Sequence, residues 1–247
     1  MIPLKSEEDL RMLRASGKLL SKIMRELKAA IRPGVTTLQV DELAERLVKR
    51  EGALPAFKGY KGFPATICAS INEEIVHGIP DNRKLEEGDI LSLDMGISYG
   101  GYFSDMAVTL PVGRIDSGKK KLIQVTSKAL DLGIKQAKVN NRLFDISHSI
   151  QSFVEKNGFS VVRQFVGHGI GTQLHEEPEI PNFGDADEGP VLRVGMVLAI
   201  EPMVNMGGWE AEILENGWTA VTKDGLASAH FEHTVAITEK GPEILTK

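Results

Sequence analysis

The strongest constraint on how this chain can fold is an internal echo. Leu85-Glu86-Glu87-Gly88-Asp89-Ile90-Leu91-Ser92-Leu93-Asp94 aligns with Leu192-Arg193-Val194-Gly195-Met196-Val197-Leu198-Ala199-Ile200-Glu201, with leucine, glycine, aliphatic and terminal acidic residues in matching places. His77-Gly78-Ile79 returns as His168-Gly169-Ile170, and Asp105 followed by Val108 returns as Glu232 followed by Val235. Three matches in the same order read as two diverged copies of one unit, at about 1–115 and 116–247, within a single 1–247 domain.

Each copy reads as helix, helix, strands. Ser6 with Asp9 three residues on predicts a capped helix start, and Leu10, Leu13, Gly17, Leu20, Met24 and Leu27 then recur at helical steps. Pro33-Gly34 ends that helix. Thr36 with Gln39 caps a second, running towards Gly52. Lys58–Pro64 reads as loop, followed by strands at Ala65–Ile71, Asp89–Ile97 and Ser104–Leu110. In the second copy, helices are expected over Ser117–Ala137 and Asn141–Asn157, and strands at Val161–Val166, Met196–Asn205, Trp218–Val221 and Phe231–Thr238. Pro178, Pro181 and the acidic Asp185–Gly189 stretch read as an exposed loop. Helices and strands in separate runs define an α+β class.

Composition narrows the function classes. With 29 Lys+Arg against 34 Asp+Glu, the net charge of −5 provides no general attraction to DNA or to an anionic membrane surface. The apolar runs fall well short of the ~20 residues of a membrane span. The charged N-terminus does not read as a secretory signal, and a lone cysteine, Cys68, fits a reducing compartment. The expectation is a cytoplasmic globular protein.

The chemistry lies in four acids and a histidine. Asp94 ends Ile90-Leu91-Ser92-Leu93, a run suited to a buried strand, where an ionised carboxylate must be paired or bound to a cation. Asp105 follows eleven residues later across Ser98-Tyr99-Gly100-Gly101; a turn at Tyr99-Gly100 would set the two acids directly opposite each other. No Lys or Arg lies nearby in sequence to relieve their repulsion, so a metal ion is the natural partner. Glu201 and Glu232 repeat the arrangement, and the small Ser92 and Ala199 leave room in front of the first acid of each pair. Any one of these acids alone reads as an ordinary strand-end charge; four at corresponding positions do not. His168, between two glycines that leave space for its ring, adds a nitrogen donor. Four carboxylates and an imidazole are too many for one tetrahedral zinc and suit two divalent ions.

His77 and His175 lie in glycine- and proline-punctuated loops that favour function over packing. His148 reads as a solvated helix residue, and Cys68 as a small buried hydrophobe. His230 shares a strand face with Glu232, whereas His233 points the other way. Gly167-His168-Gly169-Ile170-Gly171 lacks the Lys-Ser/Thr and the following helix of a phosphate loop.

Together these residues resemble the type I methionine aminopeptidases. The likeness runs nearly end to end and rests on Asp94, Asp105, His168, Glu201 and Glu232. The surrounding Ser70-Ile71-Asn72-Glu73, His77-Gly78-Ile79-Pro80, Ile200-Glu201-Pro202-Met203 and Phe231-Glu232-His233-Thr234 agree. The resemblance implies a pita-bread fold, two pseudo-symmetric halves forming a curved antiparallel sheet with helices on its outer face. It implies two divalent ions (Mn²⁺, Fe²⁺, Co²⁺ or Zn²⁺), with Asp105 and Glu232 bridging, Asp94 on one ion, and His168 and Glu201 on the other. The implied reaction removes the initiator methionine from nascent polypeptides when the second residue is small. Glu201 would shuttle a proton, His77 and His175 would contact the scissile amide, and Tyr60, Phe63, Cys68, Leu174 and Trp218 would line the methionine slot. A monomer in transient contact with the ribosome is the corresponding assembly.

The chain departs from the family pattern at Val76, where many members carry Cys, at Leu174, where an aromatic often lies, and at Asn140-Asn141, which replaces Pro-Gly. None is a ligand position. An Xaa-Pro aminopeptidase or prolidase normally carries an additional N-terminal domain, for which this length leaves no space. A pita-bread binding protein that has lost its metals would not be expected to retain the full acid and histidine set.

Overall fold

Side-chain caps decide where the helices begin. The computed structural model describes residues 2–247. In helix α1 (Glu7–Ala30) the Ser6 hydroxyl accepts from the Asp9 N–H at 3.2 Å, and the Asp9 carboxylate accepts from the Ser6 N–H at 2.7 Å. Thr36 and Gln39 do the same for α2 (Thr37–Arg50). Short strands β1 (Leu54–Pro55), β2 (Cys68–Ile71) and β3 (Glu74–Val76) lead into a long hairpin, β4 (Ile90–Tyr99) and β5 (Tyr102–Pro111). The order then recurs: α3 (Ser117–Gln136), capped by Asp116, and α4 (Leu143–Lys156) precede β6 (Ser160–Val161) and β7 (Gly167–Gly169). After these come β8 (Glu176–Ile180), β9 (Val197–Ile200), β10 (Met203–Asn205), β11 (Ala211–Ile213) and β12 (Ala220–Thr222). The chain closes with β13 (Ser228–His230), β14 (His233–Thr238) and β15 (Gly241–Ile244).

All strand pairings are antiparallel. β4 carries β5 along one edge and β1 and β2 along the other; the largest second-half sheet runs β15-β14-β9-β7-β8. Strand alternation sorts each sheet into a helix face and an acid face. Leu91, Leu93, Met95 and Ile97 of β4 pack with Leu20, Ile23, Met24 and Leu27 of α1 in one core. Ser92, Asp94 and Gly96 therefore face the opposite way. In the second half Leu198, Ile200, Val235 and Ile237 join Leu122, Ala129, Ile146 and Ile150 of α3 and α4.

The two halves meet along β5. The 96/105 pair of the hairpin is not hydrogen-bonded within it, so the Asp105 backbone points outward to residues 230–234. Ala107 and Glu232 exchange backbone hydrogen bonds at 3.4 and 2.9 Å. On either side of that pair a threonine stands in for a strand neighbour. Thr234 Oγ1 accepts the Asp105 N–H at 2.9 Å and donates to the Asp105 carbonyl at 2.8 Å. Thr109 Oγ1 accepts the His230 N–H at 2.8 Å and donates to the His230 carbonyl at 2.9 Å.

Several expectations need correction. The hairpin turns at Gly100-Gly101, with φ of 58° and 84°, because a tight two-residue turn needs positive φ at both central positions and Tyr99 resists it. Asp94 thus lies opposite Ala107, and Asp105 opposite Gly96. The acids are diagonal on one face rather than face to face. The expected Val161–Val166 strand stops at Val161. Pro202, which has no N–H, interrupts Met196–Asn205, and Phe231-Glu232 lie between β13 and β14, so both glutamates fall at strand breaks. Pro178 lies inside β8 rather than in a loop; β8 is an edge strand, where a missing donor is tolerated.

Candidate active site

One pocket of about 210 Å³ collects every side chain singled out above for ligation or substrate contact. Asp94, Asp105, His168, Glu201 and Glu232 form its floor, with His77, His175, Tyr60, Phe63, Cys68, Leu174 and Trp218 in its walls. Phe57 and Lys61 also line it and escaped the sequence reading. Both belong to the segment around Lys58–Pro64, whose loop composition gives no periodicity from which to assign a face.

The floor draws on both halves. Asp94 and Asp105 come from the acid face of the hairpin, His168 from β7, and the two glutamates from the breaks after β9 and β13. The glycines around His168 serve close approach of backbone rather than space for the ring. A Cβ on Gly167 would lie 2.4 Å from the Ala199 carbonyl oxygen, and one on Gly169 2.1 Å from that of Glu177. Gly169 O and His168 Nδ1 are 2.9 Å apart, which fixes the ring with Nε2 free. Donor atoms of Asp105, His168 and Glu232 lie within 4.8 Å of one another, and His168 Nε2 is 3.6 Å from Glu201 Oε1.

Burial without partners shows what this floor fits. Asp94 Oδ1, Asp105 Oδ1 and Glu232 Oε1 are buried with no hydrogen-bond partner. Burial pushes the Asp94 and Glu201 carboxyls up to about 7. Asp105 and Glu232 are held well above the carboxylate range, first by burial and then by the neighbouring acids. Stranded carboxylate oxygens converging with an imidazole are a donor set suited to hard or borderline dications. The residues present fit a divalent metal centre.

The walls are of two kinds. Phe63 and Trp218 meet edge to face at 5.1 Å and, with Cys68 and Leu174, form an apolar recess. Cys68 pairs with Asp94 across β2 and β4, and burial followed by that acid raises its thiol pKa, so it is no nucleophile. His175 stands at the mouth, 4.2 Å from the His168 ring, with Nδ1 2.8 Å from the Tyr60 hydroxyl. His77, in a left-handed conformation at φ 61°, is wedged edge-on between Phe165 at 5.5 Å and Trp218 at 6.4 Å. Desolvation lowers it to about 4, so it is neutral at physiological pH. His148 is exposed on α4. His233 lies outside the pocket against Thr246 at 2.9 Å. His230 is fully buried beside Glu201.

An antiparallel α+β scaffold with this acid-and-imidazole floor defines a class of metal-dependent peptidase, and the comparisons give it a family. The pattern of metallopeptidase family M24 matches residues 11–239, and the chain belongs to that family. The chain is 51% identical to a methionine aminopeptidase of Bacillus subtilis, covering 100% of both proteins. It is 52% identical to one from Clostridium perfringens, covering 100% of this chain and 99% of the other. The crystal structure of the Thermotoga maritima methionine aminopeptidase superposes with a TM-score of 0.98 at 48% identity, covering both chains completely. A prolidase from Pyrococcus furiosus shares the fold at a TM-score of 0.81 and 24% identity, this chain covering 65% of it. The pita-bread architecture expected from the sequence is the one found. M24 membership also implies a divalent metal cofactor.

Proposed function

We propose that this protein is an aminopeptidase that removes the N-terminal methionine from polypeptides whose second residue is small. It would use two divalent ions held by Asp94, Asp105, His168, Glu201 and Glu232. The observation that carries this reading is the convergence of those five residues, three with stranded carboxylate oxygens, beside an apolar recess. Relatives about half identical over their full lengths bear the same activity in their names. The prolidase likeness, at 24%, speaks for the fold alone.

When bound, the ions would acidify water and polarise the scissile carbonyl, the contribution dications make to peptide hydrolysis generally. Asp94, Asp105, His168, Glu201 and Glu232 would hold them. The remaining roles belong to the chain itself. Glu201, beside the place the ions would take, accepts a proton from the attacking water and passes it to the leaving amine. His175 Nδ1 lies 2.8 Å from the Tyr60 hydroxyl; taking that hydroxyl as the donor puts the ring proton on Nε2, a donor for the scissile amide. His77, held neutral and edge-on, offers a second ring nitrogen to the same amide. Phe63, Trp218 and Tyr60 present aromatic surface to a thioether, which gains modestly from such contacts. The pocket, about 210 Å³, is smaller than the roughly 300–1,000 Å³ of pockets that hold larger ligands, which suits a short substrate end.

The reading extends to a single domain built from two copies of one unit, about 1–115 and 116–247. It also extends to nascent chain N-termini as substrates in the cytoplasm, a transient contact with the ribosome, and a working monomer. Among the described residues no helix is long and apolar enough to cross a membrane. Rates on Met-Ala-Ser, Leu-Ala-Ser and Met-Lys-Ser, with and without added Mn²⁺, test the proposal. Metal-dependent turnover strongly favouring the first peptide is expected. Comparable kcat/KM for all three would remove the methionine assignment, and full turnover in verified metal-free protein would remove the mechanism.

A further inference from the structure

His230 is a buried group that this reaction scheme leaves unused. It ends β13 with 1% of its surface exposed, and neither ring nitrogen has a hydrogen-bond partner. Its backbone is pinned on both sides, because Thr109 Oγ1 takes its N–H and donates to its carbonyl. The ring therefore cannot escape towards solvent. Leaving a buried polar group without a partner is costly, so a fully enclosed imidazole needs one. Its Nε2 lies 3.5 Å from Glu201 Oε2, about half an ångström beyond a good hydrogen bond. On the other side of the same carboxylate, His168 Nε2 lies 3.6 Å from Oε1.

We propose that His230 is a positioning residue for Glu201: its neutral ring donates Nε2–H to Oε2, holding the carboxylate plane so that Oε1 stays turned towards His168. Glu201 follows the last residue of β9 and precedes Pro202, where no strand pairing holds the backbone through the glutamate itself. Its side-chain direction thus depends on what flanks the carboxylate. The inference rests on the reading of Glu201 as a metal-holding and proton-carrying residue. Outer partners that orient a ligand typically affect metal affinity or activity by ~10–100-fold. A glutamine at this position would offer an amide N–H at comparable reach; a leucine offers none.

The test is calorimetric titration of Mn²⁺ into metal-free wild type, His230→Leu and His230→Gln, with urea unfolding to confirm that each variant is folded. Affinity for the Glu201-dependent ion should fall ~10–100-fold in His230→Leu and return to within about threefold of wild type in His230→Gln. In the same variants kcat for Met-Ala-Ser should follow that order while KM stays nearly constant. Wild-type affinity in the leucine variant would overturn the proposal. So would a glutamine variant as weak as leucine, because the ring itself would then be a ligand. Failure of the wild type to bind Mn²⁺ at all would instead bring down the metal-centre reading beneath it. A measurement independent of variant folding is ¹⁵N NMR of histidine-labelled wild type loaded with Zn²⁺. A proton on His230 Nε2 is expected; a deprotonated, metal-bound Nε2 would refute the assignment.

Discussion

Replacing Thr234 by valine tests the seam that brings the two pairs of acids together. The substitution exchanges a hydroxyl for a methyl of similar volume at a fully buried position, so packing is nearly conserved. What is lost is specific: the Asp105 N–H loses its acceptor at 2.9 Å, and the Asp105 carbonyl loses its donor at 2.8 Å. Because the 96/105 pair of the hairpin is not hydrogen-bonded, neither group has a strand partner to fall back on. Each buried group left unsatisfied costs about 1–3 kcal/mol, for a combined loss of about 2–6 kcal/mol. With a urea slope of about 3 kcal/mol/M, the midpoint should fall by about 0.7–2 M. The comparison belongs in metal-free protein, since an ion bound only by the folded state would add its own stabilisation. Asp105 should also lose its fixed position, weakening Mn²⁺ binding by about tenfold. Thr238→Val, whose hydroxyl closes a local, half-exposed turn with Lys240 and Gly241, should lose far less and serves as the control. A Thr234→Val protein within 0.5 kcal/mol of wild type, with unchanged Mn²⁺ affinity, would show that the threonine does not hold the seam.

The remaining expectations concern catalysis, pH and backbone approach. His175→Ala should lower kcat at least a hundredfold while dication binding, followed by calorimetry, changes little; loss of binding would make His175 a ligand. Asp94 and Glu201 have folded pKa values raised to about 7 against roughly 4 in an unfolded chain. The metal-free protein therefore binds more protons folded than unfolded, and its stability should fall as pH rises from 4 through 7. Added Mn²⁺ should stabilise more at pH 8 than at pH 6, read as urea midpoints, and a metal-free midpoint that climbs across this range would contradict the buried-acid account. Gly169→Ala should destabilise by about 3 kcal/mol or more, since its Cβ would press on backbone that cannot swing aside; a wild-type melting curve would refute this.

Much of this protein was determined by its sequence alone. Local signals suffice where a short stretch fixes its own conformation: Ser6 with Asp9 and Thr36 with Gln39 set helix starts, because a cap is made within four residues. The echo of Leu85–Asp94 in Leu192–Glu201 located the acids, because a carboxylate at the end of a buried run needs a charged partner wherever it lies. Only the tertiary structure decided how those acids face one another. The turn slid to Gly100-Gly101, where glycine adopts the two positive φ values without strain, and the diagonal register followed. The seam through Thr109 and Thr234, the lining by Phe57 and Lys61, and the confinement of His230 against Glu201 bring together residues from distant parts of the chain or from a loop without periodicity. No local pattern encodes such meetings, because they depend on where the whole chain places its backbone.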